Sequence, residues 1–373
     1  MAGTKRIRLN TWSPSQPPTP IGDCRLKRES VFELPTNIGR ISAIATWSPK
    51  SSDPSISVGT EAGAVILVTN IGSSTVLETT GPAVLCLMMK HASWSNPHVP
   101  DIVSGDCEGR VTVFSMNQVF SRSILSAPIS AIAPNSNPNS ANSLVVGDLN
   151  GVVTACHAQE TLWRTQIRPH VSSAMIPSTS TLLNDPMITA VCSSQFPDKH
   201  GVLTSYVLAA TGTSQISILA RGTSVMDIPT TAIVNTMCTG SFIQPSTASG
   251  SQVMAGDESG RLFVLDNFEP IPYISVPHPV TRILAIPLSA FSDKPGPDVI
   301  VCQTRSGSLY VIYNRQIVHT LELGFWPVAV DVLLSAPSSD SPRVGVVVAE
   351  NRDEDDASAP VGALHIYSLN VAL

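Results

Sequence analysis

The sequence lacks any long apolar run, which excludes a membrane-crossing helix: its most apolar segments, such as residues 83–89, stop far short of the roughly 20 residues a span requires. No apolar signal segment stands at the N-terminus. Charge is also scarce. Charged residues are 13% of the chain, the net charge is −6, and Lys and Arg nowhere gather into a stripe that could neutralise several phosphates, so nucleic acid is not an expected partner. No two cysteines have CxxC spacing. The seven, Cys24, Cys86, Cys107, Cys156, Cys192, Cys238 and Cys302, are odd in number and sit mostly inside apolar patterns, which reads as free buried thiols instead of disulfides or zinc ligands. Asn-x-Ser/Thr is missing despite the abundance of Ser and Thr. Together these absences predict an intracellular, cytoplasmic protein, with the nucleus left open.

Signatures of catalysis are missing as well. There is no HExxH, GxSxG, Walker A or strand-to-helix GxGxxG, and His157, His278 and His319 have no metal-like spacing to another His, so each reads as a structural or surface residue. The Asp-containing turns at 106–109, 148–151 and 257–260 offer too few alternating carboxylates for the six to eight oxygens of a calcium cage. No cofactor, metal or small-molecule substrate is expected.

What is present is a repeat. A β-branched strand, a short turn with Gly and a second β-branched strand recur seven times, with 30 prolines and 23 glycines punctuating the chain. Five copies are plain: SISVGTEAGAVILV around Gly63, DIVSGDCEGRVTVF around Gly109, LVVGDLNGVVTAC around Gly151, QVMAGDESGRLFVL around Gly260 and VIVCQTRSGSLYVI around Gly307. Two are degenerate: VLAATGTSQISIL has Gln215 at the glycine position, and the last copy has an acidic loop before Gly362. The successive spacings, 46, 42, 64, 45, 47 and 55 residues, are those of propeller blades. The turn has a local cause: Asp106, Asp148 or Asp257 accepts backbone N–H groups, and the following Gly supplies φ > 0. Many strands are apolar on both faces, as a blade packed between neighbours requires.

Seven further apolar stretches precede the hairpins and are read as innermost strands, while more polar outer strands follow six of them. The seventh outer strand is missing, and residues 29–34, ESVFEL, have no other partner. The expectation is therefore an all-β, seven-bladed β-propeller over residues 24–373, with blades near 41–78, 83–124, 129–167, 187–228, 232–276, 280–321 and 327–373. The 29–34 strand closes the ring by pairing with the last blade, which removes both exposed edges.

Residues 1–23, rich in Pro and Ser, read as a disordered tail carrying Ser-Pro and Thr-Pro sites; its Lys5-Arg6-Ile7-Arg8 run is either a localisation or partner contact or a solvated patch. The main insertions are residues 134–142, 169–186 and 351–359. The acidic run Asp353, Glu354, Asp355 and Asp356 is either a contact for a basic partner or a solvated loop, and Phe325 and Trp326 either form a contact patch or pack between blades.

The Gly-Asp-x-x-Gly hairpins beginning at Gly105-Asp106, Gly147-Asp148 and Gly256-Asp257 resemble those of WD40-like and FG-GAP-like propellers, although the Trp-Asp and Gly-His signatures of ordinary WD40 repeats are missing. With LVVGDLNGVV at 144–153, SGSLYVIYNRQIVHTLEL at 306–323 and a last blade ending in LHIYSL, the ring is similar to the integrin-alpha FG-GAP-repeat-containing family, without that family's Asp-rich calcium loops. The resemblance implies a non-catalytic subunit of the KICSTOR scaffold, serving nutrient signalling to mTORC1 and placed on the lysosome through its partners. The sequence points more broadly to a scaffold for protein–protein interaction within a heteromeric complex. A propeller subunit of a nuclear pore, ciliary coat or ubiquitin-ligase adaptor is the alternative. A propeller enzyme or lectin would need carboxylates, histidines or aromatics on the inner strands, which read mostly as Ile, Val, Ala, Ser and Thr.

Overall fold

In a computed structural model, the described residues are 24–35, 38–48, 54–69, 73–78, 80–90, 100–137, 143–157, 160–168, 186–198, 200–243, 251–292, 295–334, 344–352 and 362–371. They form seven four-stranded antiparallel sheets, and the only helical element among them is one 3-10 turn at Leu288–Ala290. The tail at 1–23 and the acidic run Asp353, Glu354, Asp355 and Asp356 lie outside the described residues.

Each of the first six blades uses four consecutive strands, from an innermost strand at the channel to an outer strand at the rim. The innermost strands are Ile41–Trp47, Val84–Lys90, Ile129–Pro134, Ile188–Pro197, Val234–Gly240, Val280–Ile286 and Pro327–Leu334. The last blade is assembled from both ends of the chain: Cys24–Glu33 pairs antiparallel with Gly362–Val371 and serves as its outer strand. The closing strand thus starts earlier than residue 29, running from Cys24↔Val371 to Glu33↔Ala363 with a bulge between Arg28 and Ser30.

Buried apolar residues form seven clusters, and each cluster lies between two neighbouring blades. One joins Val103, Val111 and Val113 of blade two to Ile129, Leu144 and Val146 of blade three. Another joins Val347, Ala349 and Leu364 of blade seven to Ile41, Ile44 and Val58 of blade one. A sheet sandwiched in this way must be apolar on both faces, which is why the central strands do not alternate. No blade has a core of its own, so each depends on its neighbours for burial.

The turns at 106–109, 148–151 and 257–260 form as the Asp carboxylates require. Asp148 Oδ1 accepts the N–H groups of Asn150 at 3.0 Å and Val152 at 2.8 Å, and Asp106 and Asp257 accept the equivalent pairs. In blade one Thr60 stands in the Asp position, its Oγ1 accepting the Ala64 N–H at 3.0 Å. Gly63, Gly109, Gly151, Gly260 and Gly307 all have φ between +77° and +83°.

Two glycine-position assignments are corrected. In blade four the left-handed residue is Ser214, at φ 56°, and Gln215 is the buried first residue of the next strand. The Thr230 N–H bonds the Ser214 carbonyl just as the Ile167 N–H bonds that of Gly151, which fixes the equivalence. In blade seven Gly362 is no turn residue: it opens a strand opposite Asn351, and a Cβ there would lie 2.7 Å from Ile41 Cδ1 of blade one. Close approach of two blades, and not φ, selects glycine at that position.

Candidate functional site in the central channel

The seven innermost strands share one register. Each begins with an apolar residue, has a bulge, and continues with a residue paired to the position just before the turn. That residue is Ala43, Cys86, Ala131, Ala190, Thr236, Arg282 or Ala329 around the ring. Six are small and one is an arginine. Two residues further on stand Ala45, Met88, Ala133, Cys192, Cys238, Leu284 and Asp331, which line the channel.

The channel encloses a cavity of about 420 Å³. Its wall sets aliphatic and sulfur-bearing side chains, including Leu87, Met88, Met237 and Leu284, beside a somewhat larger share of polar surface, to which Thr46, Ser193 and Thr239 belong. Among the described residues Arg282 is the only basic residue in the lining and Asp331 the only acidic one. Every other blade contributes residues from the far part of its inner strand, whereas Arg282 enters from the end nearer the Gly turns.

Asp331 is tied to the closing seam. Its Oδ2 accepts the Thr46 N–H of blade one at 2.8 Å, its Oδ1 accepts the Val332 N–H at 2.9 Å, and Thr46 Oγ1 donates to the Val332 carbonyl. Burial raises its pKa above the usual carboxylate value, against the pull of the Arg282 guanidinium and of these hydrogen bonds. Burial pushes the thiol of Cys192 in the channel up to about 12, and that of Cys86 also to about 12 although Arg282 acts in the opposite direction. All seven cysteines are free; Cys107 is exposed, Cys86 and Cys238 are partly buried and the rest are buried. Among the described residues no three His, Cys, Asp or Glu side chains meet as a metal site, and no helix is long and apolar enough to cross a membrane.

The face that carries the Gly turns is a second feature. Phe325 and Trp326, adjacent in sequence, separate there: Phe325 stacks on buried His365 with ring centroids 4.5 Å apart, while Trp326 is 71% exposed. Val328, Leu85, Leu149 and Met187 are exposed on the same face, because each lies at the start of an inner strand or within a turn bonded to one. Gly63, Asp106, Gly109, Asp148, Gly151, Asp257, Gly260 and Gly307 build this face as turn residues and point no chemistry toward it.

The inner strands are therefore less uniformly Ile, Val, Ala, Ser and Thr than their composition suggested, since Arg282, Asp331, Met88, Met237, Cys192 and Cys238 line the channel. Lining up the seven inner strands by their first apolar residue is the signal that singles out Arg282.

No protein-family model matches the sequence, and neither does any curated protein. Among solved structures, the crystal structure of the WD40 β-propeller domain of Doa1 is similar, with a TM-score of 0.63 over 92% of this chain and 97% of that one at 8% identity. That likeness is one of fold: the chain is a seven-bladed, WD40-like β-propeller.

Proposed function

We propose that the protein is a non-catalytic interaction scaffold that holds other proteins within a heteromeric complex. The observation that carries this reading is Trp326, 71% exposed on the turn face beside Val328. An exposed Trp costs free energy in a soluble monomer, and residues of this kind anchor interfaces when a partner desolvates them. The ring beneath it is held by seven interblade clusters, so the face is presented on a rigid base. The nutrient-signalling scaffold implied by the FG-GAP-like hairpins is an assembly of this kind, and its setting would be cytoplasmic, at the lysosome through partners.

Affinity purification of the tagged full chain, wild type beside Trp326→Ser, tests the reading. A stoichiometric protein partner that the variant loses supports it, and the identity of that partner tests the nutrient-signalling assignment. Absence of any stoichiometric partner from the wild type, or full retention by Trp326→Ser, counts against it.

A further inference from the structure

The arginine in the channel holds no neighbouring strand by direct contact; its one described structural effect is the pull of its charge on the buried Asp331 carboxylate. Its position is occupied by Ala, Cys or Thr in the other six blades, so the ring closes without a long side chain there. Among the described residues its guanidinium makes no hydrogen bond and no ion pair. Asp331, the one acid in the same cavity, lies beyond ion-pair distance and directs both carboxylate oxygens at backbone N–H groups. Arg282 is exposed, and it lines the same cavity as Met88 of blade two, Cys238 of blade five and Asp331 of blade seven.

We infer that the central cavity receives a carboxylate side chain flanked by apolar residues on a segment of a partner protein, with Arg282 pairing to that carboxylate. The inference rests on the scaffold reading and adds the chemistry of what is held. A cavity of about 420 Å³ is of binding-site size, and its lining sets aliphatic side chains beside polar groups and one guanidinium. A guanidinium offers a planar fork of donors matched to a carboxylate, which makes the pair bidentate. The flanking apolar residues would lie on Leu87, Met88, Met237 and Leu284. One guanidinium in a chain of net charge −6 does not match a polyphosphate backbone, which favours a protein segment over nucleic acid.

The test uses the full chain and fluorescently labelled pentapeptide pools. The central residue is fixed as Glu, Gln or Lys, and the flanking positions are mixtures of Leu, Ile, Val and Ser. Binding of the Glu pool about tenfold tighter than the Gln pool is expected, the scale of one charge-assisted hydrogen-bonded pair. Arg282→Gln should abolish that preference while the chain still unfolds in one cooperative thermal transition, its midpoint lowered because the buried Asp331 carboxylate loses the pull of the guanidinium. Arg282→Lys, which keeps the charge, should retain part of it. Equal binding of the Glu and Gln pools, or an acid preference that survives in Arg282→Gln, overturns the inference. Complete displacement of the Glu pool by millimolar sodium acetate assigns the site to a small free anion and overturns it as well. If Arg282→Gln lacks any effect on peptides yet Trp326→Ser loses a stoichiometric partner, the scaffold reading stands and this inference falls.

Discussion

Gly105 of blade two faces Ile129 of blade three so closely that a Cβ on Gly105 would lie 2.5 Å from Ile129 Cγ2 and 2.8 Å from Cys86 Sγ. The same relationship joins Gly59 to Val84, Gly147 to Ile188 and Gly256 to Val280, so it is a device of the ring repeated at four seams. Gly105→Ala should therefore wedge two blades apart and cost about 1–3 kcal/mol, the usual penalty for overpacking. Urea unfolding would measure it. Ile129→Ala in the same chain should recover part of the loss, and simple additivity of the two changes would contradict the contact.

Asp148 folds its turn through two backbone N–H groups, whereas Thr60 does the equivalent work with one. Asp148→Ala should lower stability by about 1–3 kcal/mol, because it leaves buried N–H groups without an acceptor. Asp148→Thr should lose less. Equal losses in denaturant melts would show that the carboxylate does not hold the turn.

His365 is 2% exposed, its Nε2 lies 2.8 Å from Glu350 Oε2, and Phe325 covers its ring. Burial lowers its pKa below 6.5; Glu350 acts against that shift, while Arg28 and Arg352 add to it. The unfolded chain therefore takes up a proton that the native chain resists, so the contribution to stability is full above about pH 6.5 and is lost as pH falls through the lowered native value. The melting temperature should drop between pH 7 and pH 5, and His365→Gln should flatten that drop. An unchanged slope in the variant would remove His365 from the account.

Met116 and Asn117 turn the chain into the outer strand of blade two with φ of 50° and 62°, and Met116 is 56% exposed. A long side chain in the left-handed region is strained and here buries little in return. Met116→Asn should stabilise by about 0.5–1 kcal/mol. A lower urea midpoint would show that the methionine makes a contact worth more than the strain.

Removing residues 1–35 should abolish cooperative unfolding and expose the Gly362–Val371 strand, which pairs with Cys24–Glu33. Thermal scans and light scattering would report this, and an unchanged melting temperature would show that the ring holds without its closing strand.

The blade count was legible because the turn chemistry is local: Asp106, Asp148 and Asp257 declare themselves by spacing to the glycine that follows. Ser214 is illegible in the sequence because a left-handed serine has no signature, and the hairpin pattern alone points one place on, to Gln215. Gly362 misled for the opposite reason, since its glycine answers to a neighbouring blade some 320 residues earlier in the chain, at Ile41. Arg282 does not stand out within VTRILAI; only the ring places it level with four alanines, a cysteine and a threonine of the other blades. Non-local packing, which a single strand cannot encode, accounts for each of these differences.

The blade that completes the circle joins the first described strand to the last one, and that order has a kinetic consequence. During synthesis Cys24–Glu33 leaves the ribosome before the other described strands, yet its partner Gly362–Val371 emerges more than 300 residues later. At synthesis rates of about 5–20 residues per second this strand waits tens of seconds with its backbone edge unsatisfied. It is then the part of the nascent chain most open to capture by a chaperone or by the same strand of another copy.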